Sequence, residues 1–242
     1  MTPSKKLLLR CFFLAGVALV SWFLAFQFRE MPEDQPQTIR SRLHFHRHAV
    51  RERLSPWFDR AGVPYPPVRI VLAAFKEERV LELYAAWEHR PLRFIRSYPI
   101  LAASGHPGPK LREGDRQVPE GLYRIEYLNP NSRFHLSMKL DYPNAFDRRH
   151  AAAEGRTEPG SDIMIHGKAV SIGCLAMGDE AAEELFILAA QTGIENVEVV
   201  IAPVDFRVRS LPEGVAADLP HWTGELYTDI RRKLAETMAQ TP

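Results

Sequence analysis

Ile163-Met164-Ile165-His166-Gly167-Lys168-Ala169-Val170-Ser171-Ile172-Gly173-Cys174-Leu175-Ala176-Met177 is the stretch on which the reading of this chain turns. Ile163 to His166 is a short apolar run with the character of a buried strand, and it ends in a histidine. Cys174 follows after a turn bounded by Gly167 and Gly173. A cysteine nucleophile works as its thiolate, and an imidazole within reach takes the proton or holds it as an ion pair. A histidine ending one strand and a cysteine after a short turn can meet without help from distant sequence. Gly173 lets the backbone approach a substrate, and amides beside the cysteine can donate to a developing oxyanion.

Cysteine usage sharpens this reading. Of the two cysteines, Cys11 lies in an uncharged, mainly apolar run from Cys11 to Phe28, preceded by Lys5, Lys6 and Arg10. As a helix that run spans roughly 27 Å, close to the hydrocarbon thickness of a bilayer. It ends in Phe26-Gln27-Phe28-Arg29 without a small-x-small cleavage signal, so residues 1–30 read as an uncleaved anchor rather than a removed signal peptide. Basic residues before the run and Glu30, Glu33 and Asp34 after it place the body outside the cytoplasm. Cys174 is then an unpaired thiol in an oxidising compartment, a liability unless it is buried or chemically needed. The formal net charge of +1 gives no case for a nucleic-acid partner.

Working outward, residues 31–67 form a basic amphipathic helix and linker, with Ile39, Leu43, Val50, Leu54 and Phe58 near one face. His44, His46 and His48 lie on this helix, but only the i, i+4 pair shares a face and no other ligand is placed to complete a metal site, so they read as a solvated face. The main body, residues 68–203, opens with strands Val68 to Ala74 and Val80 to Trp87 joined as a hairpin, then Leu92 to Ile100. A glycine-rich loop from Ser104 to Glu120 follows, and long loops in small domains are often functional. Gly121 to Leu128 and Arg133 to Leu140 read as strands around the turn Asn129-Pro130-Asn131-Ser132. Asp141 to Pro159 reads as irregular. Asp179 is the expected N-cap of a helix with an Ala182, Leu185, Phe186 and Ala189 stripe that stops at Gly193. Val197 to Ala202 is a last strand. Residues 204–242 are a helical extension with Trp222, Leu226, Ile230 and Leu234 at helical spacing. The expected class is mainly β with peripheral helices and an N-terminal transmembrane helix.

The central stretch resembles the L,D-transpeptidase (YkuD-like) catalytic domain, and within it the YafK-like branch. The resemblance rests on His166-Gly167 followed by Ser171-Ile172-Gly173-Cys174. It also rests on Gly108-Pro109-Lys110-Leu111-Arg112-Glu113-Gly114-Asp115, Val118-Pro119-Glu120-Gly121-Leu122-Tyr123, the Asn129 to Ser137 segment and Asp141-Tyr142-Pro143-Asn144. It covers about Val68 to Pro203. Two departures stand out: Ile172 occupies a position where many members carry a second histidine, and the stretch between His166 and Cys174 is short.

The resemblance implies a cell-wall enzyme. Cys174 matches the nucleophile that attacks a diaminopimelate carbonyl in a peptidoglycan stem peptide, and His166 matches the general base. The Gly167 carbonyl matches the group that orients the imidazole. Gly173 and the Cys174 amide belong to the oxyanion region, and Ser171 serves the turn. His135 is a candidate for either a structural or a cleft role, and Lys110 and Arg148 are candidate substrate contacts. No metal or organic cofactor is implied. The acyl group passes to an amine, as in a transpeptidase, or to water, as in a hydrolase, with a cell-wall-attached lipoprotein a candidate partner. A non-catalytic wall-binding module is the rival reading.

Overall fold

β1 (Arg69–Phe75) reads Arg-Ile-Val-Leu-Ala-Ala-Phe, and every residue after the first is buried. A strand apolar on both faces needs cover on both. Ile70, Leu72 and Ala74 enter one core, while Val71, Ala73 and Phe75 enter a second on the opposite face. β8 (Val197–Ala202) repeats the pattern, with Val197, Val199 and Ile201 in the first core and Val200 and Ala202 in the second. The computed structural model describes residues 36–212 and 214–238; the expected anchor at 1–30 and the first residues of the linker lie outside the described residues. Among the described residues, no helix is long and apolar enough to cross a membrane.

The remaining strands are β2 (Val80–Ala86), β3 (Arg93–Pro99), β4 (Gly121–Asn129), β5 (Ser137–Leu140), β6 (Met164–His166) and β7 (Leu175–Ala176). They form one eight-stranded sheet in the order β3-β2-β1-β8-β4-β5-β6-β7. β4 is its pivot. Gly121 to Arg124 pair with β8, and the register shifts between Ile125 and Tyr127 before the strand runs on against β5. The short strands β5, β6 and β7 thus hang from the far half of β4, and they carry the central motif.

α1 (Ile39–Ala61) starts at Thr38, whose Oγ1 accepts the Ser41 N–H at 3.0 Å, and ends at Gly62 in the left-handed region. It buries Val50, Leu54 and Phe58. Ile39, expected on that face, is exposed, and His46 turns from solvent toward Glu183, 3.6 Å away. Glu183 and Glu184 belong to α3 (Asp179–Thr192) and dock α1 through Arg53, at 3.1 and 2.8 Å. α4 (Thr223–Met238) covers the second core; Trp222, Leu226, Ile230 and Leu234 are all buried there, as their spacing predicts.

Three further expectations change. The stretch expected to be irregular contains α2 (Ala145–Ala153), with an Asn144–Asp147 capping box. Of its residues only Ala151 is buried, so the helix has a strong local start but no apolar stripe to announce it. The strand expected from Arg133 begins only at Ser137, because His135 adopts φ +71 and breaks the extension. Asp179 is the first helical residue rather than the cap; Gly178 takes the N-cap position, and the carboxylate goes elsewhere.

Candidate active site

β6 and β7 run parallel, with Ile165 opposite Leu175 and His166 opposite Ala176. One step back along this ladder, Cys174 comes beside Met164, whose N–H donates to Sγ at 3.4 Å. The thiol in turn faces the Asp162 carbonyl, 3.7 Å away. Side chains alternate along a strand, so Met164 and His166 share one side of β6. Met164, His166 and Cys174 all line one cavity of about 860 Å³. Strand pairing thus brings the two motif residues to one site.

His166 is buried, and its Nδ1 lies 2.6 Å from the Gly167 carbonyl oxygen. A carbonyl only accepts, so Nδ1 carries the proton and Nε2 keeps its lone pair. The Phe134 ring lies against the imidazole, centroids 4.7 Å apart. Gly167 leaves no room for a side chain: a Cβ there would stand 2.6 Å from Asp179 Oδ1 and 2.7 Å from the Phe134 carbonyl. Gly173 adopts φ +130, where a side chain is strained.

Ser171 organises the turn before the thiol. Its Oγ accepts from the Gly173 and Cys174 amides at 3.2 and 3.0 Å, and its hydroxyl donates to the Cys174 carbonyl at 2.6 Å. The two amides expected to face an oxyanion are therefore engaged within the turn, and must swing off Ser171 to serve a substrate.

Both titrating groups favour their neutral forms. Burial pushes the Cys174 thiol up; the Met164 N–H and the Lys110 charge oppose this, and the Asp162 charge adds to it. Burial pushes the His166 imidazole down, partly offset by its bond to the Gly167 carbonyl. Both groups are thus neutral at rest rather than a thiolate–imidazolium pair.

Lys110 lines the cavity, but its Nζ already binds Asp115 Oδ1 at 2.6 Å and the Arg112 carbonyl at 2.9 Å. Glu113, Arg116, Arg133 and Asp162 add charges of both signs to the wall, which suits a zwitterionic ligand. The other two candidate contacts lie apart from this lining. His135 points its Nε2 at Glu183 Oε1, 2.9 Å away, since its left-handed backbone turns it from Phe134's side. Arg148 is exposed on α2 and donates to the Pro143 carbonyl. Phe134, Met164, Asp162 and Asp179 are neighbours of the pair to which sequence reasoning gave no part in the site. The need for glycine beside His166 was the one available signal for Asp179.

Residues 69–201 match the YkuD family, the L,D-transpeptidase catalytic domain. This chain belongs to that family. It is similar to YafK of Escherichia coli (strain K12), with 38% identity over 139 residues, 55% of this chain and 54% of that one. The match thus spans about half the length of that relative. Among solved structures, the helical cell shape determining protein Pgp2 from Campylobacter jejuni superposes with a TM-score of 0.46 at 20% identity, over 62% of this chain and 55% of that one. Bd1075 from Bdellovibrio bacteriovorus gives 0.41 at 22%, over 58% and 50%.

Proposed function

We propose that this chain is a peptidoglycan-modifying acyl-transfer enzyme in which Cys174 is the nucleophile and His166 the base. The observation that carries the reading is the placement of His166 on β6 and of Cys174 immediately before its partner strand β7, both at one cavity, with Nδ1 committed to Gly167 and Nε2 left as acceptor. Sγ attacks the carbonyl of a diaminopimelate residue as its proton passes to His166 Nε2. The amide C–N bond breaks, and the leaving amine takes that proton from the imidazolium. A thioester remains on Cys174. The acceptor then attacks the thioester, gives its proton to His166, and the thiol re-forms as the product departs.

The acceptor we favour is water. A transferase must limit access by water near the thioester. Yet the segment between base and nucleophile is short, with Val170 and Ile172 exposed, so it forms no lid. Transfer to an amine is the second reading, favoured by membership of a transpeptidase family. We further place the domain in the periplasm, held at the inner membrane by residues 1–30; N-terminal sequencing that starts near Glu30 would show a cleaved segment instead.

The test uses full-length protein and a diaminopimelate-containing stem peptide, with and without excess acceptor amine. Intact mass measurement should show an acyl adduct on the wild type and none on Cys174→Ala, which should retain its fold. Acid product insensitive to added amine supports hydrolysis, and dominant amide product refutes it. Wild-type turnover by Cys174→Ala removes the whole mechanism.

A further inference from the structure

The peptide group between Gly167 and Lys168 is held from both sides. Its carbonyl oxygen lies 2.6 Å from His166 Nδ1, and its N–H donates to Asp179 Oδ1 at 2.8 Å. Asp179 Oδ2 accepts from Lys168 Nζ at 2.9 Å. Lys168 adopts φ +61, a left-handed conformation that residues with a side chain enter only at a cost. The Lys168 carbonyl accepts from Gly178 N–H at 2.9 Å, so both of its backbone groups are tied to the start of α3. The glycine at 167 admits the carboxylate, whose Oδ1 lies 2.6 Å from where a Cβ would be.

We infer that Asp179 is a positioning residue for His166. A peptide group is planar, with its N–H and C=O pointing opposite ways, so fixing the N–H fixes the direction of the carbonyl. Asp179 grips the N–H, and the carbonyl is thereby aimed at Nδ1. This locks the imidazole in its Nδ1–H tautomer and keeps Nε2 free for the thiol proton. No proton travels through the peptide. Burial pushes the Asp179 carboxyl up, but hydrogen bonds from the Lys168 side chain and backbone outweigh it and hold Asp179 ionised. The inference rests on His166 acting as the base.

The decisive readout needs no turnover. Full-length protein labelled with ¹⁵N at its nine histidines, with His166 assigned by its loss in His166→Gln, reports the tautomer by NMR. Wild type should show Nδ1–H. Asp179→Ala should shift His166 to a mixture of tautomers and lower kcat about 10-fold with KM little changed, as for outer partners that orient a histidine. Asp179→Asn keeps an oxygen for the Lys168 N–H and should retain both tautomer and rate. Lys168→Ala removes the side-chain pair but not the N–H, and should also retain the tautomer. Should Asp179→Ala fail to fold by circular dichroism, Asp179→Ser gives the same reading, its hydroxyl being too short to replace the carboxylate. An Nδ1–H tautomer unchanged in the alanine or serine variant overturns the inference, as does an equal loss in Lys168→Ala. If His166→Ala keeps wild-type turnover, the base reading fails, while the tautomer still decides the role of Asp179.

Discussion

The Met164 amide donates to Cys174 Sγ at 3.4 Å, so the thiol is held by the strand that carries His166. Among the described residues no hydrogen bond joins Sγ to the imidazole itself. On the proposed mechanism, attack begins from a protonated thiol, and His166 must be neutral to receive its proton. Activity should rise with pH as His166 loses its proton, and burial moves that step to lower pH. The acid limb of kcat/KM is expected below the ordinary imidazole value of about 6.5. The rate of Cys174 alkylation should climb to a plateau above the ordinary thiol value of about 8.5, because burial raises the thiol. A pH profile of each, on wild type and His166→Ala, checks both directions; His166→Ala should lose about 10²–10⁴-fold in turnover.

Glu184 is almost wholly buried and binds three groups: Arg53 at 2.8 Å, Arg96 at 3.0 Å and the Tyr98 hydroxyl at 2.9 Å. Removing the carboxylate leaves two guanidinium groups without their shared partner. Glu184→Ala should cost about 3–5 kcal/mol in denaturant unfolding. Amide hydrogen exchange should quicken along α1 more than along α4, since the network docks α1 and not the opposite face.

Lys76 and Glu120 form a buried ion pair at 2.9 Å, and Tyr227 of α4 donates to the second Glu120 oxygen at 2.8 Å. The same carboxylate accepts the Gly108 amide at 2.7 Å, tying down the glycine-rich loop that carries Lys110. Tyr227→Phe leaves a buried charged oxygen one hydrogen bond short. It should destabilise by about 1.5–3 kcal/mol, measured by chemical denaturation, without changing the thiol's alkylation profile.

Asp147 offers a pH-dependent test of stability. Burial raises its carboxyl to about 6, against the pull of the Asn144 backbone and the Tyr123 hydroxyl. A raised carboxyl binds its proton better in the folded protein than in the unfolded chain. The stability this adds is fully present below the unfolded value of about 4 and is lost as pH rises through about 6. Asp147→Asn, which cannot ionise, should therefore gain on wild type as pH rises from 4 to 7, by about 2 kcal/mol. Thermal melts of both proteins across that range measure the gap.

Much of the fold was legible because its signals are local. The apolar runs at Val68 to Ala74 and Val197 to Ala202 became the doubly covered strands β1 and β8, and the Trp222 to Leu234 spacing became the buried face of the C-terminal helix. α2 escaped notice because its cap is strong but its apolar face is nearly absent. The break at His135 escaped notice because a positive φ at a non-glycine residue has no pattern in composition.

By itself, the sequence determined the mainly β class and singled out the short segment that carries His166 and Cys174, whose ends strand pairing brings to one cavity. It determined Gly167 as well, although not the reason for it. Only the tertiary structure decided which neighbours complete the site. Asp179 reaches the Gly167–Lys168 peptide and Phe134 reaches the imidazole, while His135 is taken by Glu183 and Arg148 lies apart on α2. The physical reason is that a side chain's partner depends on backbone direction and on helix docking. Those are settled by which buried surfaces pack together, over distances along the chain that no local pattern records.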